Sequence, residues 1–400
     1  MTEGESPRTV KALLAEIKDL SELMVDVAYA AVFFSDPDLA KEVNQLEDQM
    51  LGDLHALRKL SILAARSPED AEHMAKVLAI GSAIERISDA AVDIAKVAGP
   101  VKGAIEMLIK DLRFADEIVS RIKVREGSDG AGHRLDDLGL PVELGVWVIA
   151  ARQQGRWQMD PHGDHVLNAG EVLLVRGPED GINQARVMLG NLPLPDQQEP
   201  PAAVSELDRA VDLIVEMKNS AEVAVGLAYS ALLFNDQALA SEVSRLEERS
   251  DAIHYEFESW ILRSSASQSS PEDLRGLLHL ATASEMIFDS AREMTRVVER
   301  GEELHPVIAA ALVESDEVGH ETVVAAGSPA DGKTIKELAI ESETGMFVLA
   351  IQRGRRWSYR PRPMFTLQPG DRMIAVGPAG GGEELDALVG MSRESATQAG

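Results

Sequence analysis

The chain contains no cysteine. That removes disulfides, thiolate metal ligands and cysteine nucleophiles, and it fits a reducing compartment. Positive charge is also scarce: 39 basic residues face 67 acidic ones, for a net charge of −28. Such a balance argues against nucleic acid or anionic membrane as partners. Arginine outnumbers lysine about two to one, a bias that a high-salt cytoplasm or GC-rich coding would each produce. Long apolar runs are missing. The most apolar early stretch, "LMVDVAYAAVFF", is short and carries Asp26, so it cannot span a bilayer. The opening "MTEGESPRTV" has no charged-then-apolar leader pattern, and the expectation is a soluble, cytoplasmic protein. The nine histidines show no metal-protease spacing, and no Ser-His-Asp or Gly-x-Ser-x-Gly arrangement is present. An enzyme is not expected.

What the chain does have is a second copy of itself. "DVAYAAVFFSDPDLAKEVNQLED" (26–48) aligns with "GLAYSALLFNDQALASEVSRLEE" (226–248) at an offset of 200. The same offset pairs Glu85 with Glu285, Asp89 with Asp289, Gly145 with Gly345, Trp157 with Trp357 and Gly170 with Gly370. One slip falls near the "SPED" segments at 67–70 and 270–273. Between the copies lies "NLPLPDQQEPPAAV" (191–204), whose prolines mark a linker.

Each copy changes period part-way. Apolar residues recur at helical spacing (Leu20, Met24, Val27, Ala31, Phe34), Asp36 or Ser35 offers a cap for a second helix, and Pro68 sits where a third would begin. Pro100 is expected to open a further helix through "VKGAIEMLIKDLRFADEIVSRI". "GVWVIAAR" (145–152) and "GMFVLAIQR" (345–353) are compact β-branched runs typical of buried strands, and "GEVLLVRGP" and "GDRMIAVGP" repeat the form. The expected class is α+β and multidomain. Helical bundles cover 8–120 and 205–316, small α+β modules cover 121–192 and 317–392, and a proline-rich linker covers 193–204.

The helical halves resemble PhoU domains, whose mark is a Glu-x-x-x-Asp pair on bundle helices; "AIERISDAAVDIA" is close to that form. The mixed halves resemble the C-terminal RCK domain, TrkA-C. "GSPADGKTIKEL", "LAIQRGRRW" and "TLQPGDRMIAVGP" carry its pattern, while the first copy has Gly132-His133-Arg134 and Glu171 in place of Gly332-Lys333-Thr334 and Asp371. The alternation of PhoU-like and TrkA-C modules spans nearly the whole chain. The resemblance implies a regulatory or accessory subunit of a potassium or other monovalent cation transporter. It also implies TrkA-C pairing, with a small ligand such as cyclic di-AMP at the interface. No Gly-x-Gly-x-x-Gly opens a βαβ unit, and the glycine-rich "GPAGGGEELDALVG" closes a repeat, so no NAD is expected.

Two sets of candidate residues follow. Glu85 and Asp89 lie together on the side of their helix opposite Ile84, Ile87, Ala91 and Ile94. A pair of like charges at i, i+4 is most simply a solvated face. Yet Glu285 and Asp289 repeat it, and Glu247 with Asp251 add a further Glu-x-x-x-Asp. Four hard oxygen donors suit a divalent cation such as Mg²⁺, Ca²⁺ or Mn²⁺, or iron by the PhoU resemblance. In the first copy Leu51 replaces the equivalent of Asp251, so Glu47, Glu85 and Asp89 form the weaker set. The second candidate is a ligand site at the hairpins: Arg353, Arg356 and Pro361 in one copy, Arg152, Arg156 and Pro161 in the other. Guanidinium groups beside an aromatic residue suit an anionic ligand such as a cyclic dinucleotide, although exposed hairpin charges explain the same residues.

An internal duplication can build within one chain the dimer that identical subunits build between chains. Residues 124–192 and 318–392 are therefore expected to pair as a pseudo-twofold TrkA-C dimer, unless they pair as a homodimer between chains. The bundles are expected to pair likewise. The implied partner is a membrane cation channel or transporter, met peripherally; the alternative is a PhoU-type metal-binding adaptor regulating phosphate uptake.

Overall fold

A computed structural model of the chain describes residues 8–98, 108–109, 118–194, 206–264 and 271–389. The duplication is not laid out as two successive halves. The helical parts of both copies form one unit (residues 1–112 and 201–315), and the mixed parts form a second (113–200 and 316–400). Like has paired with like inside a single chain.

In the helical unit the first copy contributes α1 (Val10–Phe33), α2 (Pro37–Ala64) and α3 (Pro68–Ala95). Each start is built from local chemistry. Thr9 accepts from the Ala12 amide, Asp36 from those of Asp38 and Leu39, and Ser67 from that of Asp70, with proline in the first turn of the last two. Ile84, Ile87, Ala91 and Ile94 are all buried, as their shared face requires. No helix among the described residues is long and apolar enough to cross a membrane.

The further helix expected from Pro100 falls mostly outside the described residues. Its end is corrected: Ile118–Lys123 is a strand, β1, not helix. The alternation Ile118, Ser120, Ile122 inward is a period of two, and pairing along a sheet overrides the weak helical pattern. The expected boundary at 120/121 therefore cuts a strand. Sheet one continues with two short helices, α4 (Leu135–Leu138) and α5 (Leu140–Leu144), then β2 (Trp147–Gln153), β3 (Arg156–Met159) and β4 (Val172–Gly177). It is antiparallel throughout, in the order β1-β4-β2-β3. Helix α6 (Glu179–Met188) covers one face, over a core of Ile122, Val146, Leu173 and Ile182.

The second copy repeats both parts. Helices α7 (Glu206–Phe234), α8 (Gln237–Ser264), α9 (Pro271–Glu299) and α10 (Pro306–Val313) complete the bundle unit, in which α3 packs on α9 and α1 on α10. Strand β5 (Glu317–Val323), helices α11 (Ile335–Leu338) and α12 (Ile340–Thr344), strands β6 (Phe347–Arg353), β7 (Arg356–Tyr359) and β8 (Arg372–Pro378) and helix α13 (Gly381–Val389) form sheet two, ordered β5-β8-β6-β7. A break in register falls at the same place in both, Val148/Ala150 and Val348/Ala350.

The two sheet modules meet through α5 and α12. Gly145 and Gly345 end these helices in the left-handed region, at φ 63° and 68°. A Cβ on Gly345 would stand 2.1 Å from the Pro141 carbonyl oxygen, and one on Gly145 2.9 Å from that of Glu341. Only glycine allows both the turn and the approach. Arg176 completes the contact by an ion pair with Glu317.

Candidate functional site

The carboxylate pairs lie at the seam of the two bundle copies. Burial first, and then the negative charge of Asp89, Asp48 and Asp93, pushes the Glu47 carboxyl above its ordinary range. Asp89 is raised by burial and by Glu85 and Asp93. In the second copy Glu285 is raised by burial and by Asp289, Asp251 and Glu258, against the opposing effect of His254. Asp289 is raised by burial and Asp251, with Arg292 and Arg86 opposing. Arg86 belongs to the first copy, so the field at this seam crosses between them. The structure thus gathers Glu47 with Asp89, and Asp251 with Glu285 and Asp289.

Gathering is not ligation. Glu85 is held by Arg58 at 2.6 Å, Glu247 by Arg292 at 2.7 Å, and Glu285 lies 3.1 Å from His254 Nδ1. Among the described residues no set of three or more histidine, aspartate or glutamate side chains stands ready to hold a metal ion. As arranged, Glu85 and Glu247 are each neutralised by an arginine of the chain itself, while Glu47, Asp89 and Asp289 keep one another's negative charge as neighbours.

In the sheet modules Arg353 is committed. Its Nε and Nη2 donate to the two oxygens of Asp371 at 2.6 Å each, and Nη2 also donates to the Thr366 carbonyl at 2.8 Å. Asp371 is fully buried and takes a third bond from the Gln368 amide, and this carboxylate holds the guanidinium above its ordinary range. The first module solves the same problem differently. Gln153 stands where Arg353 does, and buried Glu171 instead bonds His165 Nε2 at 2.8 Å and the Asn168 amide at 2.9 Å. Arg152 is not the counterpart of Arg353. One residue along the strand places it on the other face, over the Trp157 ring at 5.3 Å. Arg156 and Arg356 are exposed on the hairpins, Pro161 is buried and Pro361 half-buried. In the second module Arg353 and Arg356 stand opposite each other across the β6–β7 hairpin, whereas in the first Arg152 stands opposite Trp157 and Arg156 opposite Gln153.

Residues that motif reading passed over carry much of the site. Lys18 and Lys218, both buried, reach across the bundle seam, and Arg121, Glu321 and Arg372 set the charge of the sheet faces. A signal for the last set was available: at the offset of 200, Arg121 falls on Glu321 and Val172 on Arg372.

A family model for the TrkA-C domain matches residues 119–190 and 320–390, and one for the PhoU domain matches 14–98 and 214–298. The chain carries two PhoU domains and two TrkA-C domains. No curated protein matches it. Among solved structures it is similar to PhoU from Pseudomonas aeruginosa, at 16% identity and a TM-score of 0.39, over 73% of this chain and 96% of that one. It is also similar to the GsuK RCK domain, at 14% identity and a TM-score of 0.19, covering 78% of each chain. The GsuK channel bound to NAD aligns at 14% identity and 0.19, over 79% of this chain and 65% of that one. Alignments this loose carry no argument, and the assignment rests on the family models. The PhoU pair is the helical unit, and the TrkA-C pair is the sheet unit.

Proposed function

We propose that the chain is a non-enzymatic regulatory subunit of a membrane transporter for potassium or another monovalent cation, acting from the cytoplasmic side. The observation that supports this reading is the pairing of two TrkA-C domains through α5 and α12 within one chain. Ligand at that pair, with cyclic di-AMP as the first candidate, shifts the PhoU pair between two states that the transporter reads.

The PhoU pair supports a second reading, an adaptor controlling phosphate uptake; the carboxylates gathered at its seam favour it. Deletion of the gene separates the two. Altered rubidium uptake with unchanged phosphate uptake supports cation transport; the reverse result overturns it in favour of the adaptor. Calorimetry with cyclic di-AMP on wild type and on Arg356→Ala then tests the ligand. Arg353→Ala is a poor choice for that purpose, because it strands the buried Asp371.

A further inference from the structure

Thr9, Asp36, Ser67, Asp236 and Thr334 cap their helices through oxygen, accepting backbone amides on a hydroxyl or a carboxylate. Those acceptors persist at any pH near neutral. His305 caps α10 through nitrogen: its Nδ1 accepts from the Val307 amide at 3.1 Å. With Nδ1 accepting, the single ring proton sits on Nε2, so a second proton can enter only at Nδ1. Proton and helix amide compete for one lone pair. Nothing else charged starts this helix, since its first turn holds no acid and Pro306 has no amide hydrogen to offer.

The surroundings oppose a charged imidazole. His73 of α3 lies edge-to-face with the His305 ring, 5.8 Å between centroids, and on its own helix it faces the exposed Asp70. Lys76, one turn further along α3, donates to the Glu303 carbonyl and pairs with Glu302, each at 3.1 Å. Arg300 also draws on Glu302, at 3.9 Å, and the Glu303 side chain is exposed. The nearby acid at 302 is thus already shared between two cations. The N-terminal end of a helix disfavours a third. Along α10 pack α1 and α7, and from α1 Lys11 meets Glu314 at the far end.

Helix α10 buries Ile308, Ala311 and Leu312 in the bundle unit, and the chain it carries enters the second TrkA-C domain at Glu317, the start of β5. We propose that α10 is a proton-sensitive joint between the PhoU pair and that domain, with His305 as its switch. Uncharged, His305 caps the helix and α10 stays wound on α1 and α7. A proton on Nδ1 takes the acceptor away and releases the first turn. The cap's contribution is therefore full above the ordinary histidine range, near about 6.5, and is lost as pH falls through it. This goes beyond the regulatory reading by adding the proton as an input, and it holds whichever transporter or ligand that reading takes.

The test is hydrogen exchange on the full chain at about pH 8 and about pH 5.5, either side of that range, with each rate referred to its intrinsic value. Wild type is expected to lose about fivefold in protection over α10 at the lower pH, the size of a side-chain cap, while α9 keeps its own. His305→Asn and His305→Ser cap through oxygen, and both are expected to protect α10 equally at the two pH values. His305→Ala is expected to lack that protection at both. His73→Phe, which keeps a ring at the contact but carries no proton, is expected to behave as wild type. The proposal is overturned if wild type protects α10 equally at both pH values or if α9 loses as much. It is overturned equally if His305→Asn and His305→Ser keep the pH effect, or if His73→Phe removes it.

Discussion

The Lys18 ammonium lies over the Tyr229 ring, 5.2 Å from its centroid, and Lys218 lies over Tyr29 at 5.4 Å. Each copy lends a buried cation to the aromatic ring of the other. Each lysine is also held by a glutamate one turn on in its own helix, Glu22 at 2.7 Å and Glu222 at 2.5 Å. Burial pushes both tyrosine hydroxyls far above their usual range, so they stay neutral. A double-mutant cycle of Lys18→Met with Tyr229→Leu, followed by urea unfolding, should give a coupling of about 0.5–2 kcal/mol. The Lys218/Tyr29 cycle should match it. Additive effects in both would show that the crossing contributes nothing.

Asp371 and Glu171 predict unequal tolerance. Arg353→Ala leaves the buried Asp371 charge with only backbone support, and it should cost about 3 kcal/mol, the lower end for a broken buried pair because Arg353 is partly solvated. His165→Gln keeps a donor for Glu171 and should cost about 1 kcal/mol. Melting of the two variants at neutral pH checks the order.

The seam carboxylates set a pH dependence. Glu47, Asp89, Glu285 and Asp289 are all raised in the folded state, chiefly by burial. The folded chain therefore holds these protons more tightly than the unfolded one. This contribution makes stability rise as pH falls from neutral through the raised values, until the ordinary carboxylate range near about 4 is reached. Asp289→Asn should raise stability at neutral pH by a few tenths of a kcal/mol and flatten that slope. Urea unfolding at a series of pH values reads both; a variant less stable than wild type at neutral pH would contradict the sign.

Gly345→Ala should damage the TrkA-C pairing more than Gly145→Ala, since its Cβ meets a carbonyl oxygen at 2.1 Å rather than 2.9 Å. Both also carry the cost of a left-handed backbone, about 1 kcal/mol or more. Limited proteolysis of the sheet unit, with melting, should rank Gly345→Ala below Gly145→Ala and both below wild type.

The order of the parts was legible because duplication prints every constraint twice: caps, glycines and the Glu-x-x-x-Asp pairs all recur at one offset. The strand at Ile118–Lys123 was hidden because its apolar residues continue a helical rhythm, and only the facing strand β4 reveals its period. The carboxylates could be listed but not weighed, since the side chains that meet them, Arg58 at Glu85, Arg292 at Glu247 and His254 at Glu285, each come from another helix. Arg353 and Arg152 looked alike in composition, and only strand register sends them to opposite faces.

Pairing inside one polypeptide has a consequence for dosage. Two separate subunits associate only above their dissociation constant, so a signal read through their dimer would vary with how much protein the cell holds. Tethered domains face each other at an effective concentration of about millimolar whatever the copy number. The approach of Gly145 to Glu341 and of Gly345 to Pro141 is thus immune to dilution. The two modules were also released from having to be identical, so Glu321 and Arg121 take opposite charges at one aligned position.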